Sequence, residues 1–182
     1  MEMVQLLRGY AEGRRDFGQV DLREAWLPGI QLQGVQLVQA DLAGANLSYG
    51  LFQEADLTGA MLWRANLTHA CLEAACLDRA ILIRSQLVAA QLSGSRCTQA
   101  DLRLANLRGA QLQNAVLSHS RLCYADLTGS NLRGADLRHA DLTGAILHRA
   151  DLTGCRWQGA YGQRTDLSQA VGADVDGQLT PV

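Results

Sequence analysis

Large apolar side chains recur at every fifth position from Phe17 to Leu167, with no insertion or deletion in the register. Of these 31 centre positions 26 are Leu; the departures are Phe17, Phe52, Cys97, Trp157 and Gly162. Two residues before each centre stands a small side chain, as at Ala25, Ala40, Ala45, Ala55, Ala60 and Ala65, with Ser85, Ser95 and Ser120 as variants. The residue just before the centre is usually polar, as at Asp41, Asn46, Asp56, Asn66, Asp101 and Asn106. Thr-Gly or Arg-Gly pairs follow it at Thr58-Gly59, Arg108-Gly109 and Thr128-Gly129. The repeating unit is therefore Ala-(Asp/Asn)-Leu-X-X.

Neither ordinary period accommodates this unit. A helix would turn residues five apart by about 140° per step and spread the Leu side chains round its whole surface. A flat strand would send them to alternate faces. A short strand followed by a turn, repeated every five residues, brings each Leu back to the inside. The small residue at the second inward position leaves room for the Leu, and Gly at the fifth suits a backbone bend. The pattern predicts an all-β solenoid.

This unit resembles the one that defines the pentapeptide repeat family, over residues 15–169. The resemblance implies a right-handed quadrilateral parallel β-helix with four units per coil. The chain would then form about eight coils, a rod roughly 35–40 Å long at ~4.8 Å per coil. The stretch Leu6-Leu7-Arg8-Gly9-Tyr10-Ala11-Glu12-Gly13-Arg14-Arg15-Asp16-Phe17 resembles the leader of cyanobacterial, HetL-like members.

Open solenoid ends expose core and unpaired edges, so both ends need covering. Met3, Leu6, Leu7 and Tyr10 lie at helical spacing, which predicts a short N-terminal capping helix over 2–12 within a leader of residues 1–14. Near the other end, Trp157 beside Gly162 reads as a large ring compensating a vacancy. Residues 170–182 are expected to be a C-terminal cap or tail, with Val171, Val175 and Leu179 available to fold back.

Composition narrows the chemistry. All 16 basic residues are Arg, which removes lysine Schiff bases and the lysine of phosphate loops. The net charge of −2 gives no field that would gather nucleic acid or an anionic membrane, and no run is apolar enough to span a bilayer. Five cysteines without metal-ligand spacing read as free thiols of a cytoplasmic protein.

With a 20-residue coil, residues 20 apart stack and those flanking a centre point outward. His119 and His139 then stack about 5 Å apart, but no carboxylate shares their column to complete a metal site. Cys71 and Cys76 point outward on adjacent faces, diverging round a corner. Asp21, Asp41, Asp101 and Asp141 share a column, yet they are the ordinary second residue of the unit and no pocket encloses them. No catalytic residue, cofactor site or metal site is expected.

One surface feature departs from the pattern. In the column of those Asp residues, Met61, Trp63, Ile81 and Ile83 put apolar side chains outside, bordered by Arg64, Arg84, Arg103, Leu104 and Tyr124. An aromatic-centred apolar patch with an Arg rim has the composition of a protein-binding hot spot. The reading is a non-enzymatic scaffold or regulatory interaction protein with a protein partner, a regulatory protein or a second copy in a homodimer. The alternative implied by the family resemblance is a DNA-mimicking, topoisomerase-binding protein of the quinolone-resistance type. Such a mimic requires a strongly negative face, whereas residues 92–182 carry eight Asp and nine Arg.

Overall fold

In the computed structural model, which describes residues 3–172, the five-residue units stack on one another as a parallel ladder. Every bridge, from Asp16↔Gln36 to Asp151↔Val171, joins residues 20 apart. Four units therefore make one rung. The ladder alternates in direction: Leu22 N–H donates to the Asp41 carbonyl at 2.7 Å, and Asp41 N–H donates back to the Val20 carbonyl at 2.9 Å. Each unit contributes a single bridged residue, the one before its centre, so the ladder is a series of isolated bridges rather than extended strands.

The corners follow from the same bonds. The centre's carbonyl accepts from the N–H three residues on, as between Leu22 and Ala25 at 3.1 Å. The residue two after each centre has a positive φ throughout the repeats, from 53° at Ala89 to 73° at Gly154. Left-handed backbone costs a side-chain-bearing residue about 1–2 kcal/mol. It persists here because the ladder bonds on both sides of the corner leave the chain no other path.

The interior is a column of buried Leu and Ala. Two departures in it are informative. At Phe52 the larger ring is matched by Gly50 at the small position, where a Cβ would run into the ring's Cε2 and lie 3.2 Å from Cδ2. At Cys97 nothing compensates the shorter side chain, and a void of about 10 Å³ lies among Leu77, Leu82, Leu92, Leu102 and Leu117. Cys97→Leu is expected to fill that void and raise stability by about 1 kcal/mol. That corresponds to about 2–4 °C in thermal midpoint for a chain of this size. A lowered midpoint would show the space to be too tight for the two missing carbons.

Helix α1 (Met3–Ala11) covers the first rung. Leu6 is fully buried and Tyr10 half-buried, with the Tyr10 hydroxyl donating to the Gln33 carbonyl at 2.9 Å. The covering line thus runs through i and i+4. Leu7, about 100° round the helix from Leu6, is 41% exposed and does not share the covering face expected of it. Arg15 fastens the helix end: its guanidinium lies 4.1 Å from the Tyr10 ring centroid and donates to the Tyr10 carbonyl.

At the far end the ladder continues through Val171, whose N–H donates to the Ala150 carbonyl at 2.9 Å. The room left at Gly162 is taken differently from the sequence expectation. A Cβ there would first meet Thr165 Oγ1, which is held against the Leu142 carbonyl, rather than the Trp157 ring, which is only half-buried. The expected return of Val175 and Leu179 lies outside the described residues.

Candidate protein-binding face

One outward column of the ladder runs Asp21, Asp41, Met61, Ile81, Asp101, Arg121, Asp141, Tyr161. At its start Arg23 pairs with Asp21 at 2.6 Å and reaches Asp41 at 3.6 Å. Further on, Asp101 is held by Arg103 at 2.8 Å and by Arg121 at 3.4 Å. The two rungs between replace these ion pairs with hydrocarbon. Met61 and Ile81 are bridged neighbours, 39% and 38% exposed, and Trp63 is 44% exposed; Ile83 is half-buried beside them. These side chains sit on either side of the buried Leu62 and Leu82, so none can enter the core.

The border residues divide into three kinds. The Arg64 guanidinium lies over the Trp63 ring, 5.3 Å from its centroid, and Arg84 is exposed in the same corner one rung on. Arg103 is committed to Asp101 by two hydrogen bonds, each 2.8 Å. Leu104 is exposed at the same corner one rung beyond Arg84, whereas the Tyr124 ring lies down over Gly144, on the side away from the patch. The structure therefore gathers Met61, Trp63, Arg64, Ile81, Ile83 and Arg84, leaves Leu104 and Arg103 at the edge, and turns Tyr124 outward.

Elsewhere on the surface the polar groups serve the fold. His119 and His139 stack with centroids 4.8 Å apart, and no group of three metal-ligating side chains occurs among the described residues. Hydrogen bonding to Arg23 holds the Asp21 carboxyl down at about 2. The guanidinium of Arg138, with Arg156 beyond it, keeps the nearly buried Asp136 below the usual carboxylate range. Such carboxylates stabilise the fold above their ordinary pKa and lose that contribution as the pH falls, the reverse of what a general acid needs. Burial pushes the Cys97 thiol up to about 12 and Cys123, which also donates to Asp141, up to about 11. Neither is poised to react as a thiolate. Cys71 and Cys76 are unpaired.

Two surface features escaped the sequence reading. Trp26, 72% exposed, joins Leu7, Pro28 and Ile30 in a shallow groove of about 280 Å³ between α1 and the first rung. Its signal was a Trp in the polar position before Leu27. Tyr49 and His69 stack at 5.0 Å, which their spacing of 20 residues at one corner could have disclosed.

Comparisons with known proteins agree with this architecture. The family model described as "Pentapeptide repeats" matches in 8 copies, over residues 16–48, 51–83, 85–122, 110–149, 120–159 and 145–175. A search of curated proteins finds no match. Among solved structures, HetL, a pentapeptide repeat protein involved in heterocyst differentiation regulation in Nostoc sp. strain PCC 7120, is 31% identical. That alignment covers 96% of this chain and 98% of HetL, with a TM-score of 0.34. QnrB1, a plasmid-mediated fluoroquinolone resistance protein, is 20% identical over 87% of this chain and 83% of its own, with a TM-score of 0.56. Rfr23 from the cyanobacterium Cyanothece 51142 is 24% identical over 91% of this chain and 99% of its own, with a TM-score of 0.36. With the family model matching nearly the whole ladder, this chain belongs to the pentapeptide repeat family.

Proposed function

We propose that this protein is a non-enzymatic binding scaffold or regulatory interaction protein. Its solenoid is taken as right-handed and four-sided, with about eight coils, and its Met61–Ile83 face docks a protein partner. The carrying observation is the replacement of ion pairs by exposed Met61, Trp63 and Ile81 in two consecutive rungs of an otherwise polar column. Those side chains add nothing to the core. Covered by a partner, they would contribute about 25 cal/mol per Å² of apolar surface removed from water, less the cost of association. Five unpaired thiols are in keeping with a reducing, cytoplasmic setting.

A DNA-mimicking role is less well supported, because Asp carboxylates along the rod are matched by Arg. Arg108 pairs with Asp126, Arg133 with Asp151, Arg96 with Asp78, and both Arg138 and Arg156 with Asp136. A continuous negative face would need those carboxylates free.

The test is a quadruple variant, Met61→Ser, Trp63→Ser, Ile81→Thr and Ile83→Thr. Its thermal midpoint is expected to stay within a few degrees of the parent, while capture of the partner from native lysate falls at least tenfold. In a Trp26→Phe, Trp157→Phe background, Trp63 emission is expected to be red-shifted in the dilute monomer and to move to the blue when the captured partner is added. Blue emission in a verified monomer, or undiminished capture by the quadruple variant, would remove the reading.

A further inference from the structure

The electrostatics of this face describe its partner. Nine of the arginines, Arg8, Arg23, Arg96, Arg103, Arg108, Arg121, Arg133, Arg138 and Arg156, have a carboxylate within ion-pair distance. Arg23, Arg103 and Arg121, which flank the apolar rungs on either side, are all among them. Arg64 and Arg84, which border the apolar rungs themselves, have no such carboxylate among the described residues. Arg64 is laid against Trp63, and both side chains are exposed. They occupy successive rungs of one corner, where Arg64 N–H donates to the Ile83 carbonyl at 3.0 Å and Arg84 N–H to the Arg103 carbonyl at 3.0 Å. The two residues are thus about 4.8 Å apart at their backbones, alike in charge and without a carboxylate partner among the described residues, at the rim of the two consecutive rungs where this column is apolar.

Resting on the docking role proposed above, we infer that the occupant of this face is an acidic polypeptide segment. It carries an aromatic or aliphatic anchor for the Met61–Trp63–Ile81–Ile83 surface and two flanking carboxylates, one for Arg64 and one for Arg84. Carboxylates suit planar guanidiniums because two parallel N–H donors meet two oxygens. A second copy of this chain fits poorly. A two-fold axis through the patch presents the same surface to itself, which brings four uncompensated guanidiniums together. Nucleic acid also fits poorly, since the centre of the face is aliphatic and only two cations are free there, on a chain with a net charge of −2.

The experiment uses the full chain as bait for a displayed library of random dodecapeptides, with the quadruple apolar variant for counter-selection. Enriched sequences are expected to carry at least two Asp or Glu around an apolar anchor. The best of them, made as a fluorescein-labelled synthetic peptide, is expected to bind at least tenfold more weakly to Arg64→Glu/Arg84→Glu. Changing its acids to Lys is expected to restore binding to that charge-reversed protein. Both positions are exposed and already hold side-chain-bearing residues at positive φ, so the substitutions leave the backbone requirement unchanged. Peptides that need the apolar residues but ignore the charge reversal would overturn the inference and leave the docking role standing. A library yielding no clone that depends on this face would sink both. Self-association in sedimentation experiments that is abolished by Trp63→Ser would overturn the acidic segment in favour of a second copy. Binding of a labelled oligothymidylate lost in Arg64→Glu/Arg84→Glu would overturn it in favour of nucleic acid.

Discussion

Inserting the five residues Ala-Asn-Leu-Thr-Gly after His69 is expected to leave thermal stability nearly unchanged. A single Ala inserted between Asn66 and Leu67 is expected to lower the midpoint by about 6–12 °C. The asymmetry follows from the ladder, in which the bridged residue of each unit pairs with the one 20 positions on. A whole extra unit supplies its own Leu, its own small residue and its own corner, and every later unit moves one side round the rod into an equivalent slot. One extra residue breaks the inward–outward alternation, so either it or Leu67 must face water. Even if a single distorted corner absorbs it, the loss of one Leu burial at about 1.5–3 kcal/mol and one turn hydrogen bond at about 1 kcal/mol is large. Equal tolerance of the two insertions would contradict a continuous register. The five-residue insertion also separates function from fold. It moves Ile81 and Ile83 off the Met61–Trp63 side and onto the side of Asn66 and Thr68, splitting the docking face while the core stays intact.

Gly50→Ala is expected to destabilise the protein by about 2–3 kcal/mol, although it restores the commonest residue at this position of the repeat. The added Cβ has no room beside the Phe52 ring. Phe52→Leu alone is expected to cost about 1 kcal/mol, since a smaller side chain then faces a position already emptied to glycine. Together the two substitutions recreate an ordinary Ala-X-Leu unit and are expected to come within about 1 kcal/mol of the parent, a coupling of about 2–3 kcal/mol. Chemical denaturation of the four proteins of the cycle measures it. Additive losses would mean that the ring has shifted away from Gly50 in solution.

Much of this architecture is written in the sequence because each unit solves one local problem in the same way. Leu32, Leu57 and Leu127 need an inward direction, Ala55 and Ala125 must stay small beneath them, and a turn must follow. Nothing distant alters that choice, so the period of five, the buried column and the outward placement of Met61, Trp63 and Ile81 are all legible residue by residue. The stacking of His119 on His139 likewise needs only the 20-residue rung that the family resemblance implies.

The tertiary structure alone decided how neighbouring rungs use their surfaces. The corners turn out left-handed at Ala74 and Arg84 as well as at Gly59 and Gly109, because ladder bonds on both sides outweigh the preference of the residue itself. Leu6 rather than Leu7 became the plug of the first rung, since the helix meets the rod along a line that only docking defines. Arg103 turned to its own Asp101, Arg108 crossed to Asp126 in the next rung, and Arg64 lay on Trp63. Each outward side chain can reach its own unit, the rung before or the rung after. Exposed pairings of this kind differ by only about 0–1 kcal/mol, too little for a residue's identity to settle. Which guanidiniums are spent on the rod and which remain open beside an apolar face therefore emerges only once all three neighbours are in place.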